Sequence, residues 1–293
     1  MFIGIDHGTT AIRFASATVT FKMSRREART FCIHDLTQIA PIDEIEGIAL
    51  CYSMGDNFTA ITDISRLQNR GIVTRDGAGE HIGGGTQVFD EVARSGIPTV
   101  AIPGIHRGSD TDPRFKAYSH QASPEKIGIA YGISKDLGNT FIVSDVSSNT
   151  VTLLVRNGRI IGAFDACIFA PGTRHGALDV DAIRRVDAGR ETANEAFMHA
   201  GVSSTMPEEE HTQTIAMFAA MEIASMLMLA PDADIALAGS CAPKIADEVQ
   251  SLLGRTITVY DEWAAARGLS MIAQDIAGGK REIIGISVNT QVF

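Results

Sequence analysis

Several familiar signatures are missing from these 293 residues. No Gly-Lys-Ser/Thr follows a glycine-rich turn, so the chain is not a P-loop protein. Cys32, Cys51, Cys167 and Cys241 are widely scattered, with no Cys-x-x-Cys pair. That favours free thiols in a reducing compartment over disulfides or a metal cluster. No basic stripe offsets the net charge of -10, which argues against nucleic acid as the main partner. The N-terminus has neither the basic flank nor the long apolar run of a secretory signal, and a cytoplasmic location is expected. The most apolar segment, Ile215 to Ala230, is under membrane-spanning length and carries Glu222; it reads as a buried helix, with no membrane partner.

What is present is globular in kind. Hydrophobic residues at 45% and charged residues at 20% supply core material for one large domain or two of ordinary size. The chain opens on Phe2-Ile3-Gly4-Ile5-Asp6-His7-Gly8-Thr9-Thr10. Phe2 to Ile5 suits a buried strand, Asp6 to Thr10 a tight turn, and Ala11 to Val19 a returning strand. Gly8 would let the backbone approach a ligand, and Thr9 and Thr10 would add hydroxyls to the turn's N–H groups, making an anion cradle. Asp6 would suit Mg²⁺ through its waters. The plain alternative is an ordinary β-turn.

Further along, Thr30 to His34 suggests a third strand and Gly47 to Tyr52 a central one. A glycine-dense loop from Thr74 to Thr86 leads into a helix over Gln87 to Arg94, with Thr86 placed as its cap. Pro98 to Ile102 reads as a strand, Pro103 to Ser123 as a long loop, and Pro124 to Leu137 as a helix ending at Gly138. The second half then repeats the opening. Thr140 to Val143 is a strand, Ser144 to Asn149 a polar turn bearing Asp145, and Thr150 to Val155 returns before an Asn157-Gly158 hairpin. Helices are expected at 180–186, 188–200, 212–229, 243–253 and 261–276, with strands at 235–238, 257–260 and 282–288. The repetition predicts an α/β chain of two similar halves, 1–138 and 139–293, with a nucleotide held in a cleft between them.

Asp6 and Asp145 each end the first strand of their half and could hold one cation together, or each cap its own turn. Arg174, flanked by glycines, could grip a phosphate or carboxylate, or pair with Asp179. Arg75 could do the same or pair with Asp76 or Glu80. His120 could donate to a developing charge or be structural, and the methionines Met217, Met221, Met226 and Met228 read as core.

These residues resemble a known superfamily. Gly4-Ile5-Asp6-His7-Gly8-Thr9-Thr10 is similar to the first phosphate motif of the actin, hexokinase and Hsp70 ATPases, and within them the acetate and butyrate kinases fit best. Gly172-Thr173-Arg174-His175-Gly176-Ala177-Leu178-Asp179 looks like their Gly-Thr-Arg-Ser-Gly-x-x-Asp segment, which carries a catalytic arginine. Arg75-Asp76-Gly77 resembles the butyrate kinase substrate-binding loop, Ser119-His120-Gln121 their Phe-His segment, and Asp261-Glu262 their metal-supporting Asn-Glu. More closely, the whole chain resembles the methanogenesis marker protein 12 family of methanogenic archaea. The resemblance implies two RNase H-like lobes, ATP and Mg²⁺ as cofactors, a small carboxylate as phosphoryl acceptor, and a homodimer. It assigns Arg75, Arg174 and His120 to catalysis. Gly8, Thr9, Thr10, Ser147, Ser148, Asn149, Gly239 and Ser240 fall to the nucleotide, and Asp6, Asp145 and Glu262 to the metal. The departures are Ser147-Ser148-Asn149 in place of a Gly-rich second phosphate turn, Gly239-Ser240 in place of Gly-Gly, and Pro103-Gly104 where those kinases carry an Asp. Nucleotide binding survives these changes better than carboxylate kinase activity, so a nucleotide-dependent regulatory factor acting on a methanogenesis enzyme stands as the alternative.

Overall fold

The strand Phe2–His7 (β1) is buried along its middle four residues, as expected of a strand covered on both faces. In a computed structural model that describes residues 1–73 and 84–289, it is followed by Ala11–Ala15 (β2), Thr20–Ser24 (β3), Gly47–Leu50 (β4) and Thr62–Asp63 (β5). Then come helix Gly84–Arg94 (α1), Thr99–Ala101 (β6), Ile105–His106 (β7), His120–Ala122 (β8) and helix Glu125–Leu137 (α2). Next are Phe141–Val146 (β9), Thr150–Arg156 (β10), Arg159–Asp165 (β11) and helices Val180–Asp187 (α3), Ala193–Met198 (α4), Val202–Thr205 (α5) and His211–Leu227 (α6). Asp234–Ala238 (β12), Ala242–Leu253 (α7), Ile257–Val259 (β13), Ala264–Ala277 (α8), Glu282–Ile283 (β14) and Ile286–Ser287 (β15) complete the described chain.

Two units separate. Among the described residues one comprises 1–73, 84–136 and 263–289, the other 137–262. The first holds a sheet of order β3-β2-β1-β4-β6-β5, with β1, β2 and β3 an antiparallel meander and β1, β4 and β6 parallel. The second repeats the plan as β11-β10-β9-β12-β13, again a meander followed by parallel strands. The duplication expected from the sequence is therefore present as topology. The two lobes have the RNase H-like plan of the actin, hexokinase and Hsp70 fold.

In the first unit, odd-numbered residues of β1 face α1. Ile3 and Ile5 join Ile12, Phe14, Phe31, Ile48, Leu50, Val88 and Phe89 in one core, and Phe14 stacks on Phe21 at 4.4 Å. Each fully buried side chain of this kind contributes about 1.5–3 kcal/mol. The opposite face is covered by α8, whose Ala265, Ala266 and Gly268 are buried. A methyl group built on Gly268 would collide with the Gly128 carbonyl of α2, and one on Gly4 with the Ala266 carbonyl. Backbone meets backbone there, and Tyr131 and Lys135 of α2 bond to Asp275 of α8.

This packing moves one boundary. The division at residue 138 was expected to leave 263–293 in the second half, but α8 packs on β1 and so belongs to the first unit. Other expectations shift as well. The third strand is Thr20–Ser24, and Thr30 to His34 lies in 3₁₀ turns instead. The long loop 103–123 contains the β7–β8 pair, because its residues find each other across a 3₁₀ turn at Pro113–Ala117. Of the four methionines in α6 and at its C-cap only Met226 is buried, while Met217, Met221 and Met228 lie on the solvent side. No helix among the described residues is long and apolar enough to cross a membrane.

Candidate functional site

The two units carry matching turns. Three residues, Gly8-Thr9-Thr10, join β1 to β2, and three, Ser147-Ser148-Asn149, join β9 to β10. Asp6 and Asp145 occupy the same place, one residue before the end of the first strand in each unit, and both are buried.

In the first unit the turn is closed by its own strands. Register places Arg13 of β2 across from Asp6, and their side chains meet at 3.4 Å, both largely buried. A methyl on Gly8 would fall 2.7 Å from Arg13 Nη1 and 2.8 Å from the Ala11 carbonyl oxygen, so the space beside Gly8 is taken by the hairpin itself. Thr9 and Thr10 are exposed at the tip. Beneath the turn lies Cys51, whose sulfur accepts from the His7 amide at 3.4 Å; burial, with Asp6 and Glu125 nearby, raises the thiol well above its ordinary value.

His7 faces the other side, toward α1. Part of the residue's surface is open to solvent, yet both ring nitrogens are buried and have no partner among the described residues. Burial, aided by the Arg25 charge, lowers its pKa to about 3, so the ring is neutral across the physiological range. Its edge meets Tyr52 at 5.6 Å, and the Tyr52 hydroxyl lies 3.0 Å from that of Thr86 in the first turn of α1.

In the second unit the turn is buttressed from outside. The loop after β11 returns to lie on it, with the Thr173 amide donating to the Ser147 carbonyl at 2.9 Å. The Arg174 and His175 amides both donate to Ser148, at 3.1 and 2.9 Å. Gly172 is needed for this approach, since a methyl there would sit 2.5 Å from the Ser148 oxygen and 2.6 Å from Asn149. His175 is buried and stacks on Phe197 at 4.8 Å. The Arg174 side chain is exposed and makes no ion pair or hydrogen bond with a described residue. Asp179, its suspected partner, caps α3 by accepting from the Ala182 amide at 2.8 Å. Gly239, in left-handed backbone at φ 92°, brings the Gly239-Ser240 turn against the Asp145 carboxylate, and the Cys241 amide donates to Val146 at 2.9 Å. So Asp145, Ser147, Ser148, Asn149, Arg174, Gly239 and Ser240 all gather at one end of this sheet.

The remaining expected residues are less concentrated. Arg75 lies outside the described residues. His120 opens β8 opposite His106, in the small two-stranded sheet. Glu262 is half-buried, two residues ahead of α8. Among the described residues no three His, Cys, Asp or Glu side chains converge as a ready-made metal site.

The chain is 44% identical to the UPF0285 protein of Methanosarcina barkeri (strain Fusaro), over 98% of this chain and 99% of that protein. It is 41% identical to the UPF0285 protein of Methanococcus aeolicus, with the same coverage of both. The chain belongs to the UPF0285 family. No family model matches it. Among solved structures, this UPF0285 chain is similar to a propionate kinase from Francisella tularensis (TM-score 0.54, 12% identity, 93% of this chain and 98% of that one). It is also similar to the acetate kinase of Porphyromonas gingivalis (TM-score 0.52, 10% identity, 94% and 98%). A glucokinase of the ROK family from Streptomyces griseus, solved with glucose and AMPPNP, gives a TM-score of 0.52 at 11% identity over 94% and 99%. At these identities the likeness establishes the fold.

Two features of the UPF0285 chain escaped the sequence reading. The Asp6–Arg13 pair was not available from the turn length alone: a three-residue turn would set Ile12 across from Asp6, but four residues separate the innermost pair His7 and Ile12, and this brings Arg13 opposite Asp6. The grouping of His7, Arg25, Tyr52 and Thr86 had no local signal, since its members come from four separate segments.

Proposed function

We propose that this protein binds ATP with Mg²⁺ in the cytoplasm and transfers a phosphoryl group between ATP and a small carboxylate. The observation that carries the reading is Arg174: an exposed guanidinium with no described partner, on a loop tied by backbone hydrogen bonds to the Ser147-Ser148-Asn149 turn. Phosphoryl transfer needs positioning and charge neutralisation more than covalent chemistry, and an arginine whose backbone is tied to this turn and whose side chain is uncommitted suits both. In this reading Gly8, Thr9, Thr10, Ser147, Ser148, Asn149, Gly239 and Ser240 serve nucleotide binding. Asp6, Asp145 and Glu262 serve the Mg²⁺ shell, and Arg75, Arg174 and His120 serve the acceptor and the transferring group. The resemblance to the methanogenesis marker protein 12 family, and relatives drawn from Methanosarcina and Methanococcus, support a role of this kind in methanogens.

The test is acyl-phosphate trapping with hydroxylamine across short carboxylic acids in the presence of MgATP. Product with the intact chain and none with Arg174→Ala supports the kinase. A second reading, a nucleotide-dependent regulatory factor for a methanogenesis enzyme, draws on the exposed methionines of α6: Met217, Met221 and Met228 present an uncovered apolar face. ATP raising thermal stability while the whole acid panel stays without product would favour that reading.

A further inference from the structure

We propose that the outer face of α6 docks an amphipathic helix of another protein, one with Lys or Arg at the end that meets Glu208, Glu209 and Glu210. The proposal says what the methionine face of the second reading takes, and it holds whether or not the chain binds a nucleotide. It begins with a helix turned inside out. α6 packs on β9, β10 and α7 and buries Ala216, Ala219, Ala220 and Ile223, while the larger side chains of Met217, Met221 and Met228 face outward. From Ile215 to Ala230 the exposed positions are Met217, Met221, Ala224 and Met228, none of them charged. A solvated helix face carries polar and charged residues, and a helix that is apolar all round belongs to an interior. Neighbouring residues widen the strip. Met206 is held beside the first turn of α6, its sulfur accepting from the Thr214 hydroxyl at 3.4 Å, and Phe169 meets Phe218 edge-on at 5.4 Å. Met206, Phe169, Met217, Met221 and Met228 are 38%, 40%, 44%, 48% and 82% exposed, on a strip that runs about 21 Å from Thr214 to Met228.

Charge selects the occupant. Glu208, Glu209 and Glu210 are all exposed in a 3₁₀ turn that runs directly into α6. Acids ahead of a helix are favoured by its dipole, so the triplet alone assigns nothing; at one end of an uncovered apolar strip it gives the strip a polarity. No Lys or Arg occurs between Arg190 and Lys244. At the Met228 end two cations and two acids balance. Arg156 donates to the Leu229 carbonyl at 3.3 Å and Arg255 to those of Pro231 and Ala233 at 3.0 Å, beside exposed Asp232 and Asp234. A second copy of this chain repeats these charges and carries a formal net charge of -10, so it brings no surplus cation to the glutamates. A basic amphipathic helix does. Its apolar face covers the methionines, and cations in its last turn, where its own dipole favours them, meet Glu208–Glu210 when the two helices lie antiparallel. Methionine suits such a surface because its unbranched, polarisable side chain repacks around whatever apolar group it meets.

The experiment uses the full chain without nucleotide and a fluorescent synthetic helical peptide of about 18 residues, with leucines on one face, glutamines on the other and three lysines in its last turn. Two comparison peptides have the leucines scrambled off their common face, or glutamates in place of the lysines. Saturable binding by fluorescence anisotropy is expected for the first peptide, with each comparison peptide at least about tenfold weaker. Met217→Gln/Met221→Gln should weaken the first peptide at least about tenfold. Glu208→Gln/Glu209→Gln/Glu210→Gln should weaken it a few-fold and flatten its salt dependence. All five positions are exposed, so each variant should keep the unfolding midpoint of the intact chain, which separates lost docking from lost folding. No saturable binding, a comparison peptide binding as tightly, or indifference to Met217→Gln/Met221→Gln would each overturn the proposal. So would sedimentation of the intact chain as a dimer that Met217→Gln/Met221→Gln converts to a monomer, since a second copy would then occupy the face. Stabilisation by ATP is measured separately, so the docking surface can fail while the nucleotide reading stands, and the reverse.

Discussion

The same three-residue turn, built twice on the same sheet plan, ends in two different electrostatic states. In the first unit Asp6 is held by Arg13, and the guanidinium fills the space beside Gly8. In the second unit Asp145 is abutted by the Gly239 backbone, and the arginine nearest the turn, Arg174, points to solvent without a described partner. Topology has been conserved between the halves while charge has been redistributed: one turn is self-satisfied, the other is left with a cation to spend. The second unit's turn therefore keeps beside it a cation that no described partner takes up, while the first unit's turn has its arginine against Asp6.

The sharpest way to break the comparison is to attack the frame of the first unit. Gly268→Leu would drive a side chain into the Gly128 carbonyl, in a contact where neither backbone can yield. We expect loss of folded protein, a penalty beyond about 4–5 kcal/mol, read as an absent thermal transition. Arg174→Ala comes next. It should lower phosphoryl transfer by roughly 10³-fold or more, with a change of only a few-fold in ATP affinity, measured by trapping and calorimetry side by side.

Glu222 sharpens the contrast within the second unit. It is buried in α6, where it accepts from the Ala170 amide at 3.1 Å. Burial raises its pKa to about 8, Asp165 adds to the rise, and the Thr152 and Ala170 hydrogen bonds oppose it. The folded state thus holds the proton more tightly than the unfolded chain. The stability this gives is full below the ordinary carboxylate value and is lost as pH rises toward about 8. Glu222→Gln should remove that loss, raising stability at the alkaline end by on the order of 4 kcal/mol and flattening the melting temperature against pH. The smallest effect is expected for Arg13→Ala. Freeing Asp6 from a 3.4 Å pair should cost about 1–3 kcal/mol in denaturant unfolding.

Much of this was legible in the residues because the signals were local. The Asn157-Gly158 hairpin forms with both residues in left-handed backbone, at φ 54° and 74°. The two matching turns are present but shorter than expected, at 8–10 and 147–149, because the strands before them run on through His7 and Val146 and take in Asp6 and Asp145. The parts that were not legible depend on distant partners. Nothing within Ala264–Ala277 shows that its small residues fit against Gly4 and Gly128, more than a hundred positions away. The methionines of α6 repeat at helical spacing whether the face they line is covered or open. Thr30 to His34 carries β-forming residues but folds into 3₁₀ turns, and Thr20–Ser24, with Phe21 stacked on Phe14, takes the strand position instead.

The central proposal is that this chain binds MgATP and that Arg174 serves the reaction rather than the binding. Calorimetric titration of MgATP into the intact chain, Thr10→Ala, Ser148→Ala and Arg174→Ala tests it most directly. The account predicts binding by the intact chain, weakening by roughly tenfold when either turn is altered, and near-normal affinity for Arg174→Ala. Absence of binding heat at millimolar MgATP, an affinity indifferent to both turn variants, or loss of binding in Arg174→Ala would contradict it.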